Sequence, residues 1–228
     1  MPGKPSLPSP APRKAVLVID DHPIMREGLA QLINHEPDLC VSAHAENAAQ
    51  AMAAIAHQRP DLELADISLP GKSGLELIKD LQALDPELPV LVLSMHDESL
   101  YAERVLRAGG RGYIMKQEGG EKLMAAIRQV LAGKISVSEK LSARILEAFS
   151  GRRAQANVSP LERLTDREFE VFALIGQGKS SRQIAQQLHL SVKTVEVHRV
   201  HIKQKLSIQT ATELMHFAVR WQESQAPG

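Results

Sequence analysis

The chain has 228 residues, of which 43% are hydrophobic, and its 27 basic side chains balance 27 acidic ones. This length suffices for two modest domains with separate cores. The single cysteine excludes an intrachain disulfide, and no apolar run is long enough to span a membrane.

The zero net charge hides a division along the chain. Residues 14–135 carry 12 basic and 18 acidic side chains, whereas residues 179–205 carry six basic side chains and one acidic one. An acidic half joined to a locally basic half is typical of a metal or phosphoryl site connected to a reader of a polyanion.

Proline alternates with small residues at the start of the chain, and this stretch lacks the apolar middle of a signal peptide. We therefore expect a disordered tail at residues 1–13, followed by a soluble protein of the cytoplasm.

Five short apolar runs predict the strands of a sheet, at residues 15–19, 38–42, 61–65, 89–93 and 111–115. The segments between them repeat their apolar residues with helical spacing. Strands that alternate with helices predict an α/β fold with a doubly wound, five-stranded parallel sheet of the flavodoxin-like type.

Glu63 departs from this pattern because it stands in the central strand, which is expected to be apolar on both faces. Three explanations are open. The carboxyl group is protonated, it is paired with a basic neighbour, or it lies near the open end of the strand.

Polar side chains follow four of the five runs. Asp20 and Asp21 follow the first run, Asp66 the third, Ser94 the fourth and Lys116 the fifth. The carboxyl ends of parallel strands meet at one edge of a sheet, so these groups are expected to converge. Clustered carboxylates repel one another unless a hard cation such as Mg²⁺ joins them. A carboxylate in such a cluster can attack phosphorus, while the lysine and the hydroxyl hold the phosphoryl oxygens.

This ordered set resembles the receiver domain of two-component response regulators over residues 14–135. The resemblance implies that Asp66 is the phosphoacceptor and that a sensor histidine kinase supplies the phosphoryl group. The Mg²⁺ ligands that it implies are Asp20, Asp21, Asp66 and the backbone carbonyl of Ser68. The switch and phosphoryl-binding residues that it implies are Ser94, Tyr113 and Lys116. In the resembled fold, Ser68 and His96 flank the route of the water that hydrolyses the aspartyl phosphate.

Residues 136–160 are predicted to form a linker with a short helix at 139–149, and residues 161–224 a second, all-helical domain. Helix starts are marked by two capping boxes, Thr165 with Glu168 and Ser180 with Gln183. Ser191 is predicted to cap a third helix that runs to Leu206, and Thr210 begins a fourth.

The third helix of this domain has two faces. At 100° per residue, one face is an apolar stripe of Val192, Val195, Ile202 and Leu206. The opposite face consists of Lys193, Glu196, Val197, Val200 and Gln204. Scattered exposed valines are ordinary on a protein surface. On a basic helix they also predict entry into the major groove of DNA, with valines on thymine methyls and lysines on phosphates or guanine edges.

The segment from Leu164 to Leu206 resembles the LuxR-type helix-turn-helix, and the two resemblances together give the layout of NarL/FixJ-type response regulators. Ser181 stands where that family usually has asparagine. The predicted DNA-contacting residues are Ser181, Arg182, Lys193, Thr194, Glu196, Val197, Val200, Lys203 and Gln204.

The sequence thus predicts a phosphorylation-controlled, DNA-binding transcription regulator and not an enzyme. Its expected partners are a sensor histidine kinase, double-stranded DNA, a second copy when phosphorylated, and RNA polymerase as a further candidate. Two alternatives are open. One is a phosphatase with an aspartyl-phosphate intermediate, which usually has a second aspartate where Ser68 stands. The other is a regulator whose receiver works through protein contacts alone, although such receivers commonly lose part of the acidic, hydroxyl and lysine set.

Overall fold

The computed structural model describes residues 12–143 and 160–225. Its strands are β1 (Lys14–Ile19), β2 (Leu39–Ala45), β3 (Leu62–Ala65), β4 (Val90–Ser94) and β5 (Gly112–Met115). They form one parallel sheet in the order β2-β1-β3-β4-β5. The predicted five-stranded, doubly wound arrangement is confirmed.

The second strand is longer than predicted. The apolar run in the sequence predicted that this strand ends at residue 42. In the structure, β2 continues to Ala45 and pairs with β1 in parallel over that length. It is an edge strand, so Ser42 and His44 alternate with more buried residues and break the apolar run without breaking the strand.

Five helices connect these strands, namely α1 (Pro23–His35), α2 (Ala48–His57), α3 (Gly74–Leu84), α4 (Glu98–Arg107) and α5 (Gly120–Leu131). Side chains of α1 and α5 pack in an apolar cluster on one face of the sheet, and those of α2, α3 and α4 pack on the other. Both faces of the central strand are therefore covered.

Glu63 lies inside this covered strand. It is fully buried, and neither carboxylate oxygen has a hydrogen-bond partner among the described residues. Burial, aided by the negative charge of Asp85, raises the pKa of Glu63 to about 8. Of the three explanations, the structure favours a protonated carboxyl group at neutral pH.

The C-terminal region begins with a 3₁₀ turn at Pro160–Arg163, followed by α6 (Asp166–Gly176), α7 (Ser181–Gln187), α8 (Val192–Leu206) and α9 (Ala211–Gln225). Both predicted capping boxes are present, and Ser191 and Thr210 accept hydrogen bonds from the first turns of α8 and α9. Residues 139–143 are helical. The rest of the predicted short helix, the polar linker that follows it and residues 1–11 lie outside the described residues.

One member of the predicted apolar stripe is misplaced. Val195 and Ile202 are completely buried and Leu206 is partly buried, but Val192 is 46% exposed. Val192 is the first residue of α8, where the helix has not yet entered the core of the domain. No helix within residues 12–143 and 160–225 has the length and apolarity to cross a bilayer.

The two regions are in contact. Asp166, at the start of α6, accepts hydrogen bonds from Lys79 (2.5 Å) and Arg104 (3.2 Å) of the first region. The Arg104 guanidinium lies 4.0 Å from the centre of the Phe169 ring, and Tyr101 meets the same ring edge-on at 5.3 Å. The apolar cluster of α2, α3 and α4 continues into this second domain.

Candidate functional site

Asp20, Asp66 and Lys116 follow the ends of three strands, and backbone bonds fix them there. The amide of Asp66 donates to the carbonyl oxygen of Ile19, and that of Lys116 to the carbonyl oxygen of Ser94, both at 2.8 Å. As a result, Lys116 Nζ lies 2.6 Å from Asp20 Oδ2 and 2.7 Å from Asp66 Oδ2. The structure brings these predicted site residues together at one edge of the sheet.

The side chains of this cluster are almost completely buried. Asp66 is 5% exposed, and its other oxygen, Oδ1, accepts a hydrogen bond from the amide of Ser68 at 3.2 Å. Burial raises the pKa of Asp66, while the adjacent Lys116 opposes that shift. Burial alone lowers the pKa of Lys116, but the carboxylates of Asp66 and Asp20 outweigh it and raise that pKa. Lys116 thus stays charged and holds the two carboxylates together.

Gly74 fixes the loop after Asp66. Its amide donates to the carbonyl oxygen of Ile67 at 2.8 Å. A Cβ at this position would stand 2.5 Å from the carbonyl oxygen of Asp66, closer than real Cβ atoms approach backbone. Only glycine allows α3 to begin this close to Asp66.

Asp21 has spare ligand capacity. Its Oδ1 is buried and accepts no hydrogen bond within the part of the chain that the structure describes; His22 Nδ1 lies 2.7 Å from it. One ligand atom each from Asp20, Asp21, His22 and Asp66 lies within 4.8 Å of the others. This oxygen-rich set fits a hard divalent cation such as Mg²⁺. His22 was not among the site residues predicted from the sequence. Its position directly after two aspartates was the signal that could have indicated it.

Ser94 and Tyr113 lie beside the cluster. Both are buried, and Ser94 Oγ accepts a hydrogen bond from the amide of His96 at 3.1 Å. The Tyr113 hydroxyl donates to the carbonyl oxygen of His96 at 2.8 Å, so its ring points into the protein. Burial raises the pKa of Tyr113, which keeps its hydroxyl a donor at neutral pH.

Ser68 and His96 contact each other across the site, with 3.1 Å between Oγ and Nε2. Burial lowers the pKa of His96 to about 4, and the positive charge of Lys116 adds to this effect. The imidazole is therefore neutral at pH 7. Its ring centre lies 4.8 Å from that of Tyr101 in α4.

The predicted DNA-contacting residues share one surface formed by α7 and α8. Val197 and Val200 are each 45% exposed, whereas Val195 and Ile202 on the opposite side anchor α8 in the core. The other exposed members are Arg182, Lys193, Glu196 and Gln204, and the partly buried ones are Ser181, Thr194 and Lys203.

Ser181 joins the two helices of this surface. Its hydroxyl donates to Glu196 Oε1 at 2.5 Å and accepts from Arg199 at 3.0 Å. Arg199 lies among the apolar stripe with its side chain 16% exposed, as a buried stem with a polar end. Ser181 therefore has a structural role, because its hydroxyl forms hydrogen bonds that connect α7 with α8.

Two family models match the chain. The model described as the response regulator receiver domain matches residues 16–128, and that of the bacterial regulatory proteins of the luxR family matches residues 162–218.

Related proteins match this chain along most of its length. The oxygen regulatory protein NreC of Staphylococcus haemolyticus (strain JCSC1435) is 34% identical, over 90% of this chain and 96% of its own length. NreC of Staphylococcus aureus (strain MRSA252) is 36% identical over the same shares.

Solved structures are similar as well. A two-component response regulator of the LuxR family from Aurantimonas sp. SI85-9A1 is 32% identical with a TM-score of 0.56, over 61% of this chain and 99% of its own. A structure of two RcsB dimers bound to two parallel DNAs is 25% identical with a TM-score of 0.55, over 90% of this chain and 98% of its own.

Proposed function

The chain belongs to the two-component response regulators that join a receiver domain to a LuxR-type helix-turn-helix domain, and from that premise we propose that Asp66 is its phosphoacceptor. The protein is a phosphorylation-controlled, DNA-binding transcription regulator. We assign the receiver to residues 14–135 and the DNA-binding domain to residues 161–224.

The observation that carries the assignment is the contact of Lys116 with both Asp20 and Asp66 at the sheet edge. An oxygen of Asp66 forms the new bond to phosphorus while the N–P bond of the kinase phosphohistidine breaks, and the imidazole nitrogen keeps the electron pair. Lys116 then turns its ammonium to a phosphoryl oxygen, and Ser94 Oγ donates to another.

Mg²⁺, when bound, would offset the negative charge that gathers on the carboxylates and the phosphoryl oxygens. The groups that would hold it are Asp20, Asp21, Asp66 and the backbone carbonyl of Ser68. The Oδ1 of Asp21 supports this assignment, because this buried oxygen accepts no hydrogen bond from the described residues and has only a close contact with the imidazole of His22.

The DNA reader is the exposed face of α8. The exposure of Val197 and Val200, together with the complete burial of Val195 and Ile202, supports a helix that is held by one face and free to enter a major groove with the other. One small domain covers little DNA, so we propose that two phosphorylated copies bind two half-sites. RNA polymerase stays a prediction for the DNA-bound dimer.

The test is intact-mass measurement after incubation with a small phosphodonor and Mg²⁺. We expect the wild-type chain to gain one phosphoryl group and Asp66→Asn to gain none. Asp80→Asn, at a partly exposed aspartate of α3 that pairs with Lys72, is the matched control and should label as the wild type does. Full labelling of Asp66→Asn would exclude Asp66, and no labelling of the wild type would favour a receiver that works through protein contacts alone.

A further inference from the structure

A histidine of the DNA-binding domain reaches the acidic pair of the receiver. His189 Nε2 lies 3.0 Å from Asp21 Oδ2, close enough for the ring N–H to donate to the carboxylate. His189 stands in the turn between α7 and α8, where its φ of 54° places the backbone in the left-handed region. The side chain is 47% exposed and extends outward from its own domain.

This contact is part of a wider docking surface. Arg167 donates at 3.4 Å to the carbonyl oxygen of Gly71, in the loop that follows Asp66. Arg104 donates to the carbonyl oxygen of Leu161 at 2.6 Å. His189 is therefore held against Asp21 by bonds formed elsewhere between the two domains.

The other carboxylates of the site have their oxygens engaged within the receiver. Asp20 accepts from Lys116 and from the amide of His22, and Asp66 accepts from Lys116 and from the amide of Ser68. Of these three carboxylates, the one of Asp21 contacts the DNA-binding domain, through its Oδ2. Its Oδ1 accepts no hydrogen bond from the described residues, with His22 Nδ1 lying 2.7 Å away, so it has ligand capacity to offer a cation.

A ring N–H and a divalent cation oppose each other at one carboxylate. The ring N–H brings partial positive charge to Oδ2, the cation would bring positive charge to the same carboxylate group, and a hydrated Mg²⁺ needs room around its ligand for its waters. We propose that His189 competes with the divalent cation for Asp21, so that cation binding at the receiver and docking of the DNA-binding domain weaken each other. This inference rests on the proposed cation site.

Reciprocity gives the competition two consequences. If docking lowers cation affinity, then cation binding loosens docking by the same factor. The receiver would begin to release the DNA-binding domain when it takes up Mg²⁺, before any phosphoryl transfer.

The test is calorimetric titration of Mg²⁺ into the full chain, compared between wild type and His189→Gly. Glycine suits the left-handed backbone, so this variant is expected to fold. We expect it to bind Mg²⁺ roughly threefold to tenfold more tightly, the fold-change of one partly exposed hydrogen bond. His216→Ala removes an exposed histidine of α9 and should leave the affinity unchanged.

A second variant, Arg104→Gln, weakens docking without touching the acidic pair. It should also tighten Mg²⁺ binding, because His189 then spends less time on Asp21. An unchanged affinity in both variants would overturn the inference and leave the proposed function intact. A weaker affinity in His189→Gly would also overturn it, since His189 would then assist the cation. Absence of Mg²⁺ binding in every protein would overturn both the inference and the proposed cation site.

Discussion

The acidic site of the receiver buries its charged side chains among partners, whereas the exposed face of α8 leaves its charged side chains in water. Lys116 has a side chain that is 5% exposed and contacts two carboxylates, whereas Lys193 on α8 is exposed to solvent. A charge that is buried with partners is coupled to folding, because its loss leaves those partners unpaired. A charge left in water is free to meet a ligand and contributes little to the fold. Stability and binding should therefore respond to substitutions in different halves of the chain.

The largest expected effect is on the pH dependence of stability, and it appears when a buried acidic side chain is compared with an exposed one. Glu63 has its folded pKa raised from 4.5 to about 8. The unfolded chain releases this proton near its ordinary pKa while the folded chain keeps it. The associated stability is therefore complete below pH 4.5 and is lost as the pH rises through 8. We expect the free energy of unfolding to fall by about 5 kcal/mol across this window, since each unit of pKa shift corresponds to about 1.4 kcal/mol.

Urea unfolding at a series of pH values measures this loss. Glu63→Gln should remove most of it, because the variant has no carboxyl group to ionise. Glu196→Gln, at an exposed glutamate of α8, should keep the wild-type profile. A Glu63→Gln profile that matches the wild type would contradict the assignment.

The next effect compares two lysines. Lys116→Met leaves Asp20 and Asp66 as buried carboxylates without their shared cation, and we expect a loss of about 3 kcal/mol of unfolding free energy at pH 7. Saturating Mg²⁺ should restore part of it by supplying another positive charge. Lys193→Met should leave the unfolding curve unchanged and lower only the affinity for DNA.

The comparison of lysines rests on denaturant unfolding with and without Mg²⁺. If Lys116→Met and Lys193→Met unfolded at the same denaturant concentration, the contrast between the two regions would be wrong.

The smallest effect compares two valines on α8. Val197 is 45% exposed and Val195 is fully buried. Val197→Ala should cost about 1 to 3 kcal/mol at the preferred DNA site if it meets a thymine methyl, with no change in stability. Val195→Ala should destabilise the domain and leave base preference as it was.

Binding to the preferred and a scrambled duplex, together with thermal unfolding of each variant, separates the two valines. Equal affinity of Val197→Ala and wild type for both duplexes would remove this face of α8 as the reader.

Periodicity predicted the elements and the carboxyl ends of β1, β3, β4 and β5 well, because each of these apolar runs stops where a polar side chain follows, whereas β2 continues past its polar residues to Ala45. The convergence of Asp20, Asp66 and Lys116 follows from the parallel sheet alone. Contacts that depend on how the two domains pack have no local signal, and the contact between His189 and Asp21 spans most of the chain. The exposure of Val192 was missed for a related reason. Periodicity predicts which side of a helix faces the core, but it does not predict at which residue along the helix the core begins.

The packing of Tyr101 against Phe169 at the contact between the domains has an optical consequence. Both tyrosines of the chain, Tyr101 and Tyr113, belong to the receiver, and the single tryptophan, Trp221, belongs to the DNA-binding domain. The Tyr101 ring lies 5.3 Å from that of Phe169, which lies 5.5 Å from that of Trp221. Energy absorbed by the Tyr101 phenol can pass to the indole without radiation at the short range that these two ring contacts set. The chain therefore carries its own donor and acceptor, and the ratio of their emissions should change whenever the two domains separate, without any added dye.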